Sequence, residues 1–448
     1  MPDRGPLAAL GRLLLSDRWR HHPLRQEARG MVVVLGRLFG SPPPPAEPVP
    51  PPVVTPDRGR PRSPGPPLPA MSAPAPAAGT ERWLAALERL VRAESPSDDP
   101  AAIERCAGLV AELLAVEVPG GLTEILPGSD VCGPHLRWRR GSGGPAVLLL
   151  GHLDTVWGHG AFSPLFERRE GWASGPGVFD MKGGVVIAIA ALAARHAAGW
   201  PSGRVTLLLT SDEEVGSETS RALIEAEART HQAVLVLEPA LGQSVKVGRK
   251  GVGSFRLTVT GRAAHAGLEP ERGVNAVEEM ARQIPRVAAL ADPARGTTVT
   301  AAVLHAGTRT NVVPAQATLD IDVRVRTAAE AERVAAGLAA LAPVDPRAGL
   351  AVSGGLNRPP MEAEQAAPLF ALAAAVAAEL GRSPLTGVEV GGGSDGNFTA
   401  ALGIPTLDGL GAVGGNAHAD GEWMDTGRLP ERVALLAGCL DRLLAPGA

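Results

Sequence analysis

Several apolar segments of this chain end abruptly in acidic residues or histidine, and this repeated feature constrains the fold more than any other. The segments "AVLLLGHLDTVW", "RVTLLLTSDEE" and "AVLVLEPA" are continuous apolar runs, separated by stretches with the apolar spacing of helices. Apolar strands that alternate with helices are typical of an α/β fold with a mostly parallel sheet buried on both faces. Ligands of such sheets bind at the C-terminal ends of the strands, so the polar residues there predict the functional site.

The pattern changes near Lys250, where "SFRLTVTG" alternates apolar and polar residues as a half-exposed strand does. The following segments predict a helix over 274–290, strands over 297–304 and 317–326, a helix over 328–341 and a strand over 350–353. This order, βαββαβ, is that of a ferredoxin-like two-layer sandwich. We therefore predict a disordered leader over 1–80 and two domains. An α/β domain is formed by two segments, 81–248 and 358–448, and a ferredoxin-like domain over 249–357 is inserted between them.

Composition limits the partners of the chain. The 43 basic and 47 acidic residues nearly balance, which gives no overall charge for binding nucleic acid or an anionic membrane. Half of the positions from 42 to 69 are proline, which favours a disordered leader, and the apolar runs before it are too short to span a bilayer. We predict no nucleic-acid and no membrane partner. An alternative is that translation begins at Met71.

The cysteines indicate the compartment. The chain has three, Cys106, Cys132 and Cys439, which are far apart and form no CxxC pair. This spacing argues against a disulfide framework and against a thiolate zinc site. It is typical of a reducing compartment, so we predict a cytoplasmic location, while a secreted or periplasmic one stays open.

Residues able to bind metal lie at the predicted ends of successive strands. They are His152, Asp154, Asp180, Glu213, Glu214 and Glu238, and His418 follows in "GGNAHADGEWM". Zinc and hard divalent cations bind imidazole nitrogen and carboxylate oxygen. His152 and Asp154 are separated by one residue and point the same way at a strand end, so the carboxylate can accept the second imidazole N–H. Adjacent carboxylates such as Glu213 and Glu214 repel each other unless water or a cation offsets their charge.

Together these segments resemble the motifs of a known family. In order, "GHLDTVW", "GPGVFDMKGG", "SDEEVGS", "EPA", "GGGSDG" and "AHADGEWM" are similar to those of the M20 metallopeptidases, in particular the glutamate carboxypeptidase (carboxypeptidase G-type) branch. The resemblance extends from about residue 81 to the C-terminus. It implies a di-zinc exopeptidase domain with an inserted lid and dimerisation domain, and a cis peptide bond after Asp180.

The resemblance also implies roles for the metal-binding residues. His152 and Glu238 would hold one zinc ion, Glu214 and His418 the other, and Asp180 would bridge the two, with Co²⁺ or Mn²⁺ able to substitute. Asp154 would orient His152, and Glu213 would be the general base that takes a proton from a metal-bound water or hydroxide. The implied reaction releases a C-terminal amino acid, preferably Glu-like, from a small peptide or N-acyl amino acid; acyl amino acids of other kinds and dipeptides are alternatives.

Further residues match positions that contact substrate in the family. His265 would stabilise the oxyanion, often in the active site of the partner subunit of a homodimer. Asn311 would lie near the substrate, and Arg324, Arg358 and Lys246 would bind its carboxylates. The backbone of the turn that contains Gly392 would approach the substrate.

Two hypotheses of another class compete with this interpretation. "GGSDG" fits the G-x-S-x-G nucleophile turn, and Ser394, Asp408 and His418 follow in the order of an α/β-hydrolase triad. That serine hydrolase would leave His152, Asp180 and Glu238 without a role. A non-catalytic binding protein on the same scaffold is the second hypothesis, although every expected ligand position and the base are present.

Overall fold

The computed structural model describes residues 79–129, 131–200 and 203–445. The predicted disordered leader, apart from its last two residues, and the alternative start at Met71 lie outside the described residues. The α-helices in these ranges are α1 Thr80–Arg92, α2 Pro100–Glu117, α3 Gly183–Ala197, α4 Arg221–Ala228, α5 Ala276–Ala288, α6 Ala328–Ala339, α7 Ala363–Glu379, α8 Gly396–Ala401 and α9 Leu429–Leu443.

A mixed, mostly parallel sheet forms the centre of the α/β domain. Its strands, in spatial order, are β1 Leu122–Leu126, β2 His135–Arg140, β6 Arg204–Thr210, β3 Ala146–His152, β7 Ala233–Val236 and β14 Thr406–Leu407. Strands β6, β3, β7 and β14 run parallel to one another, and the hairpin of β1 and β2 adds antiparallel strands at the β6 edge. The predicted fold class is confirmed, and the hairpin is an element that the sequence pattern did not reveal.

Helices cover both faces of this sheet, which explains why its central strands β3, β6 and β7 are largely apolar and buried. In β3, Val147 and Leu149 pack into one hydrophobic cluster with helices α1, α2, α3, α7 and α9. Leu148 and Leu150 point the other way and pack with α4 and with Phe398 of α8. All four side chains are fully buried, and the polar residues Asp154 and Thr155 that follow β3 are buried as well.

The inserted domain is an antiparallel sheet with two helices. Its strands are β9 Gly251–Thr260, β10 Thr298–Ala306, β11 Gln316–Val325 and β12 Gly349–Arg358, in the spatial order β10-β11-β9-β12. Buried and less buried residues alternate along β9 and β11 because α5 and α6 cover a single face. Strand β12 extends well beyond the predicted 350–353 and ends at Arg358, beside the site described below.

The described residues form two further, smaller sheets. One contains β4 Glu167–Arg169, β5 Trp172–Ser174, β15 Gly414–Gly415 and β16 Trp423–Asp425, and the other pairs β8 Val245–Arg249 with β13 Gly387–Val390. Within the ranges that the structure describes, no helix combines the length and apolar character needed to cross a bilayer.

Candidate metal centre and active site

His152, the last residue of β3, faces two carboxylates. Its Nδ1 donates to the backbone carbonyl of Asp154 at 3.0 Å, which leaves Nε2 as the free ring nitrogen. Nε2 lies 3.4 Å from Asp180 Oδ1 and 3.5 Å from Glu238 Oε1. Ligand atoms of His152, Asp180 and Glu238 all lie within 4.8 Å of one another. The ends of β3 and β7 and the Asp180 turn therefore converge on one point.

Asp180 was expected at the end of a strand, and this expectation is wrong. It lies in the turn Val178–Lys182 directly before α3, with non-helical backbone angles, and the Asp180–Met181 peptide bond is cis. The buried Glu422 holds this turn, because its Oε1 accepts from the backbone N–H of Phe179 and of Asp180, and its Oε2 from that of Gly177. Asp180 is thus positioned by a residue 242 positions away.

A second cluster shares Asp180 with the first. His418 Nε2 lies 3.0 Å from Glu214 Oε2 and 3.5 Å from Asp180 Oδ2, and the three side chains offer ligand atoms within 4.8 Å. His418 has a φ of 60°, a left-handed conformation that residues other than glycine adopt rarely. The two oxygens of Asp180 therefore face different histidines, as a carboxylate between two cations would.

The side chains present fit divalent cations. His152 Nε2, Asp180 Oδ1 and Glu214 Oε1 are buried and have no hydrogen-bond partner among the described residues, whereas buried polar atoms usually have one. Hydrogen bonds to Asp180 and Glu214 raise the pKa of His418 to about 10. Burial lowers the pKa of His152, but its carboxylate neighbours outweigh this effect and raise that pKa well above its ordinary value. The excess of negative charge therefore draws positive charge into both clusters.

Asp154 connects the first cluster to the segment after β6. Its carboxylate accepts from the Ser97 hydroxyl at 2.8 Å and from the backbone N–H groups of Glu213 at 3.3 Å and Glu214 at 3.2 Å. His152 Nδ1 is 3.4 Å from Asp154 Oδ1, farther than from the Asp154 carbonyl. The Asp154 carboxylate thus positions the two glutamates, whereas the imidazole is held by the Asp154 backbone carbonyl and not, as expected, by the carboxylate.

Glu213 is buried beside these clusters and contacts Arg358. Nη2 of Arg358 donates to Glu213 Oε1 at 2.9 Å, to Ser217 Oγ at 2.7 Å and to Asp395 Oδ1 at 3.1 Å. Burial raises the pKa of Glu213 well above its usual range, and the charge of Arg358 opposes this rise only in part. A carboxylate in such surroundings accepts a proton more readily than one in water.

A buried arginine supports the other side of the first cluster. Arg249 Nη2 donates to Glu238 Oε2 at 3.0 Å and to Asp408 Oδ1 at 3.1 Å, while its Nε donates to Asp408 Oδ2 at 2.6 Å. Ser394 is fully buried, and its Oγ donates to Asp408 at 2.7 Å. His418 contacts Asp180 and Glu214 instead, so Ser394, Asp408 and His418 do not form a catalytic triad in this structure.

The residues predicted to contact substrate lie in different surroundings. Lys246, which is partly buried, has its Nζ 3.9 Å from Glu238 Oε2, and the half-buried Arg324 pairs with Asp322 at 3.0 Å. Gly392 is exposed, and its carbonyl accepts from Arg249 at 3.2 Å. Asn311 and His265 are exposed in the inserted domain, where His265 Nδ1 accepts from the backbone N–H groups of Gly267 and Leu268. Their predicted roles stay predictions.

Sequence reasoning missed the residues that position the clusters, namely Arg249, Asp395, Glu422, Ser97 and Ser217. Glu422 and Asp395 stand inside segments quoted above, "AHADGEWM" and "GGGSDG", but neither was given a role. Nothing in the spacing of Arg249 or Ser97 indicates their partners.

Comparisons with known proteins identify the family of the chain. The sequence profile of peptidase family M20/M25/M40 matches residues 148–442. Carboxypeptidase G2 from Pseudomonas sp. (strain RS-16) is 32% identical over 360 residues, which cover 78% of this chain and 86% of that protein. Succinyl-diaminopimelate desuccinylase from Methylorubrum populi is 32% identical over 335 residues, which cover 68% and 84%.

A solved structure shows the same fold. The crystal structure of aminopeptidase PepT from Bacillus cereus superposes with a TM-score of 0.66 at 20% identity and covers 82% of this chain and 99% of its own. The chain belongs to peptidase family M20/M25/M40, as its motifs predicted, and is a hydrolase of the metallopeptidase type.

Proposed function

We propose that this chain hydrolyses the amide bond between an acyl or peptidyl group and a C-terminal amino acid, with two divalent cations as cofactors. The observation that carries the proposal is the shared Asp180, which joins two carboxylate–histidine clusters beside the buried Glu213. Such paired sites suit reactions in which a water attacks a polarised carbonyl.

The proposed ligands follow the two clusters. His152, Asp180 and Glu238 would hold one ion, and Asp180, Glu214 and His418 the other. We propose zinc as the metal, because imidazole and carboxylate are among its usual ligands, with Co²⁺ or Mn²⁺ able to replace it. The chemistry that two such ions supply is polarisation of the carbonyl and a lower pKa for the attacking water.

Glu213 is the proposed general base. It takes a proton from the attacking water and delivers it to the nitrogen of the leaving amine, so the products are a carboxylic acid and a free amino acid. Asp154 keeps the backbone of Glu213 and Glu214 in place, and Arg358 holds the Glu213 carboxylate through Nη2. These contacts support a carboxylate that is oriented before substrate arrives.

A Glu-like C-terminal residue is the proposed substrate preference. The similarity to carboxypeptidase G2, the guanidinium group of Arg324 and the ammonium group of Lys246 support it. Asn311 and the backbone at Gly392 complete the proposed substrate contacts. The similarity to succinyl-diaminopimelate desuccinylase favours a second candidate, an N-succinyl diamino acid, which would be cleaved by the same chemistry.

A homodimer is proposed as the active form. Strand β10 forms an edge of the inserted sheet, and its side chains Val303 and Leu304 are exposed. An exposed edge strand with apolar side chains is a common surface for pairing with a second copy. His265 would then act in the active site of the partner.

Metal content and hydrolysis, measured on the same preparation, test the proposal. The substrates are N-acyl derivatives of Glu, Asp, Arg and Ala together with N-succinyl-diaminopimelate, each assayed before chelation, after chelation and after return of zinc. We expect activity that disappears with the metal and returns with it, and the highest kcat/KM for acyl-Glu. Highest activity on the succinyl compound would favour the second candidate. Activity that survives complete removal of metal would reject the mechanism, and bound metal without hydrolysis of any substrate would favour a binding function.

A further inference from the structure

A third cluster of ligand side chains includes Asp212, the residue directly before Glu213 and Glu214. Cys132, from the turn before β2, His135, the first residue of β2, and Asp212, which follows β6, are all buried. One ligand atom from each lies within 4.8 Å of the other two. None of these residues belongs to the two clusters described above.

One carboxylate oxygen of Asp212 has hydrogen-bond partners in the protein and the other has none. Its Oδ2 accepts from the backbone N–H and the hydroxyl of Thr219, at 2.8 and 2.7 Å, and from the backbone N–H of Ser220 at 3.2 Å. Its Oδ1 has no hydrogen-bond partner among the described residues, although the side chain is only 2% exposed. A role as a loop cap explains the first oxygen, whereas the second is a buried acceptor that needs a positive or donating partner.

The neighbouring atoms suit a soft divalent cation. Ser211 Oγ, which donates to the Gly133 carbonyl, lies 3.1 Å from Cys132 Sγ and 3.0 Å from His135 Nδ1, and Cys132 Sγ also accepts from the Thr219 hydroxyl at 3.3 Å. A sulfur, a nitrogen and two kinds of oxygen therefore lie close together. Zinc binds thiolate at about 2.3 Å and imidazole or carboxylate at about 2.0–2.2 Å, so its ligand atoms lie close together in a tetrahedron. Thiolate combined with imidazole selects zinc over calcium, magnesium or manganese.

We propose that Cys132, His135 and Asp212 form a structural zinc site, separate from the catalytic clusters, with Ser211 Oγ or a water as the fourth ligand. Binding replaces the thiol proton of Cys132, which is released to solvent, by a Zn–S bond. The ion links the turn before β2 to Asp212, whose carbonyl accepts from the backbone N–H of Ser217 at 2.8 Å. The site would thereby fix the loop that presents Glu213 and Glu214. Cysteine spacing cannot reveal a site with a single thiolate, which is why the sequence argued against one.

Cobalt substitution tests this site independently of catalysis. The proposed catalytic ligands are oxygens and nitrogens, so a thiolate-to-cobalt charge-transfer band in the Co²⁺-loaded protein can arise only from a cysteine. We expect this band in the parent protein and in the controls Cys106→Ser and Cys439→Ser, which alter the other two cysteines of the chain. We expect Cys132→Ser to lose the band and to bind one metal ion per chain fewer. A band that persists in Cys132→Ser would overturn the proposal.

A measurement on the unaltered protein covers the case in which Cys132→Ser does not fold. X-ray absorption at the zinc edge should detect sulfur at about 2.3 Å from part of the bound zinc. Zinc bound by nitrogen and oxygen alone would overturn the proposal and would leave the cluster as a hydrogen-bonded polar core only. Neither outcome affects the di-metal mechanism, whose failure would appear as hydrolysis that does not depend on metal.

Discussion

Arg358 Nη2 donates to Glu213 Oε1 at 2.9 Å, so the last residue of β12 in the inserted domain touches the proposed base of the α/β domain. The same nitrogen also contacts Ser217 and Asp395, which gives it bonds to three side chains. The position of the inserted domain is thereby coupled to the orientation of Glu213. Arg358 is placed to act on every substrate, whatever carboxylates that substrate carries.

Replacing Arg358 should therefore lower kcat more than it raises KM. We expect Arg358→Gln to lose about 10- to 100-fold in kcat, which is typical when a group that orients an active-site residue is removed. Steady-state kinetics with acyl-Glu and with the neutral acyl-Ala would measure this loss, which should be similar for both. Arg256→Gln on the adjacent β9, whose arginine forms an exposed pair with Asp320, is the matched control. A rise in KM confined to acyl-Glu would instead support the carboxylate-binding role predicted from the sequence.

The neighbouring glutamates Glu213 and Glu214 should differ in what their loss removes. We expect Glu213→Gln to keep its metal and lose about 10²- to 10⁴-fold in kcat, the usual contribution of a general base. Glu214→Gln should instead lose metal, because its carboxylate faces His418 in the second cluster. Metal analysis after dialysis, paired with kinetics, distinguishes the two variants. Full turnover by Glu213→Gln would exclude it as the base.

Glu422 should control metal affinity through the Asp180 turn. Each of its carboxylate oxygens accepts from two N–H groups. Oε1 accepts from the backbone of Phe179 and Asp180, and Oε2 accepts from the backbone of Gly177 and, at 2.6 Å, from the Trp157 indole. In Glu422→Gln one of the two oxygens becomes an NH₂ group, which cannot accept a hydrogen bond. Whichever way the amide is turned, one pair of these N–H groups therefore loses its acceptor. We expect metal affinity to fall by about 10- to 100-fold. Competition with a chelator would measure it, with the partly exposed Glu431→Gln as control; equal affinities would contradict this role.

His231 should make folding stability depend on pH. Burial lowers the pKa of its ring below the ordinary value of 6.5, and the ring bonds to the Glu227 carbonyl and the Thr206 hydroxyl. Between the pKa of the His231 ring in the folded protein and its higher pKa in the unfolded chain, the unfolded state binds more protons. Acidification therefore favours unfolding, and this contribution to stability is lost as the pH falls.

Urea unfolding of the parent and of His231→Gln, at several pH values between about 7.5 and 5, would measure the difference. The free energy of unfolding of the parent should decrease more steeply towards acid than that of the variant. Burial also lowers the pKa of His135, so the variant should retain part of the slope. Parallel curves would show that His231 titrates alike in the folded and unfolded states.

If His265 acts in the partner subunit, two inactive variants should restore each other. We expect Glu213→Gln and His265→Ala to be inactive alone and to regain measurable activity when unfolded together and refolded as a mixture, because one mixed site carries both intact residues. A mixture of Glu213→Gln with Glu214→Gln is the control, since these residues lie in the same centre. No recovery in the first mixture would contradict a shared active site.

The sequence by itself determined the classes of structure. Runs such as Val147 to Leu150 are apolar throughout because helices cover both faces of the sheet, and the alternation in β9 and β11 reflects burial on one face. Burial imposes a period on neighbouring residues, so it can be read locally. The motifs also indicated the residue types of a metal site and the family to which the chain belongs.

Only the tertiary structure decided which of these residues meet. It moved Asp180 from a strand end to a turn held by Glu422, and it joined Arg358 to Glu213 and Arg249 to Glu238. It also brought Cys132 and His135 to Asp212, which lies more than seventy positions away in the chain. These contacts join residues that are far apart in the sequence. No periodic pattern and no short motif connects such residues, because the contact exists only once the chain has folded.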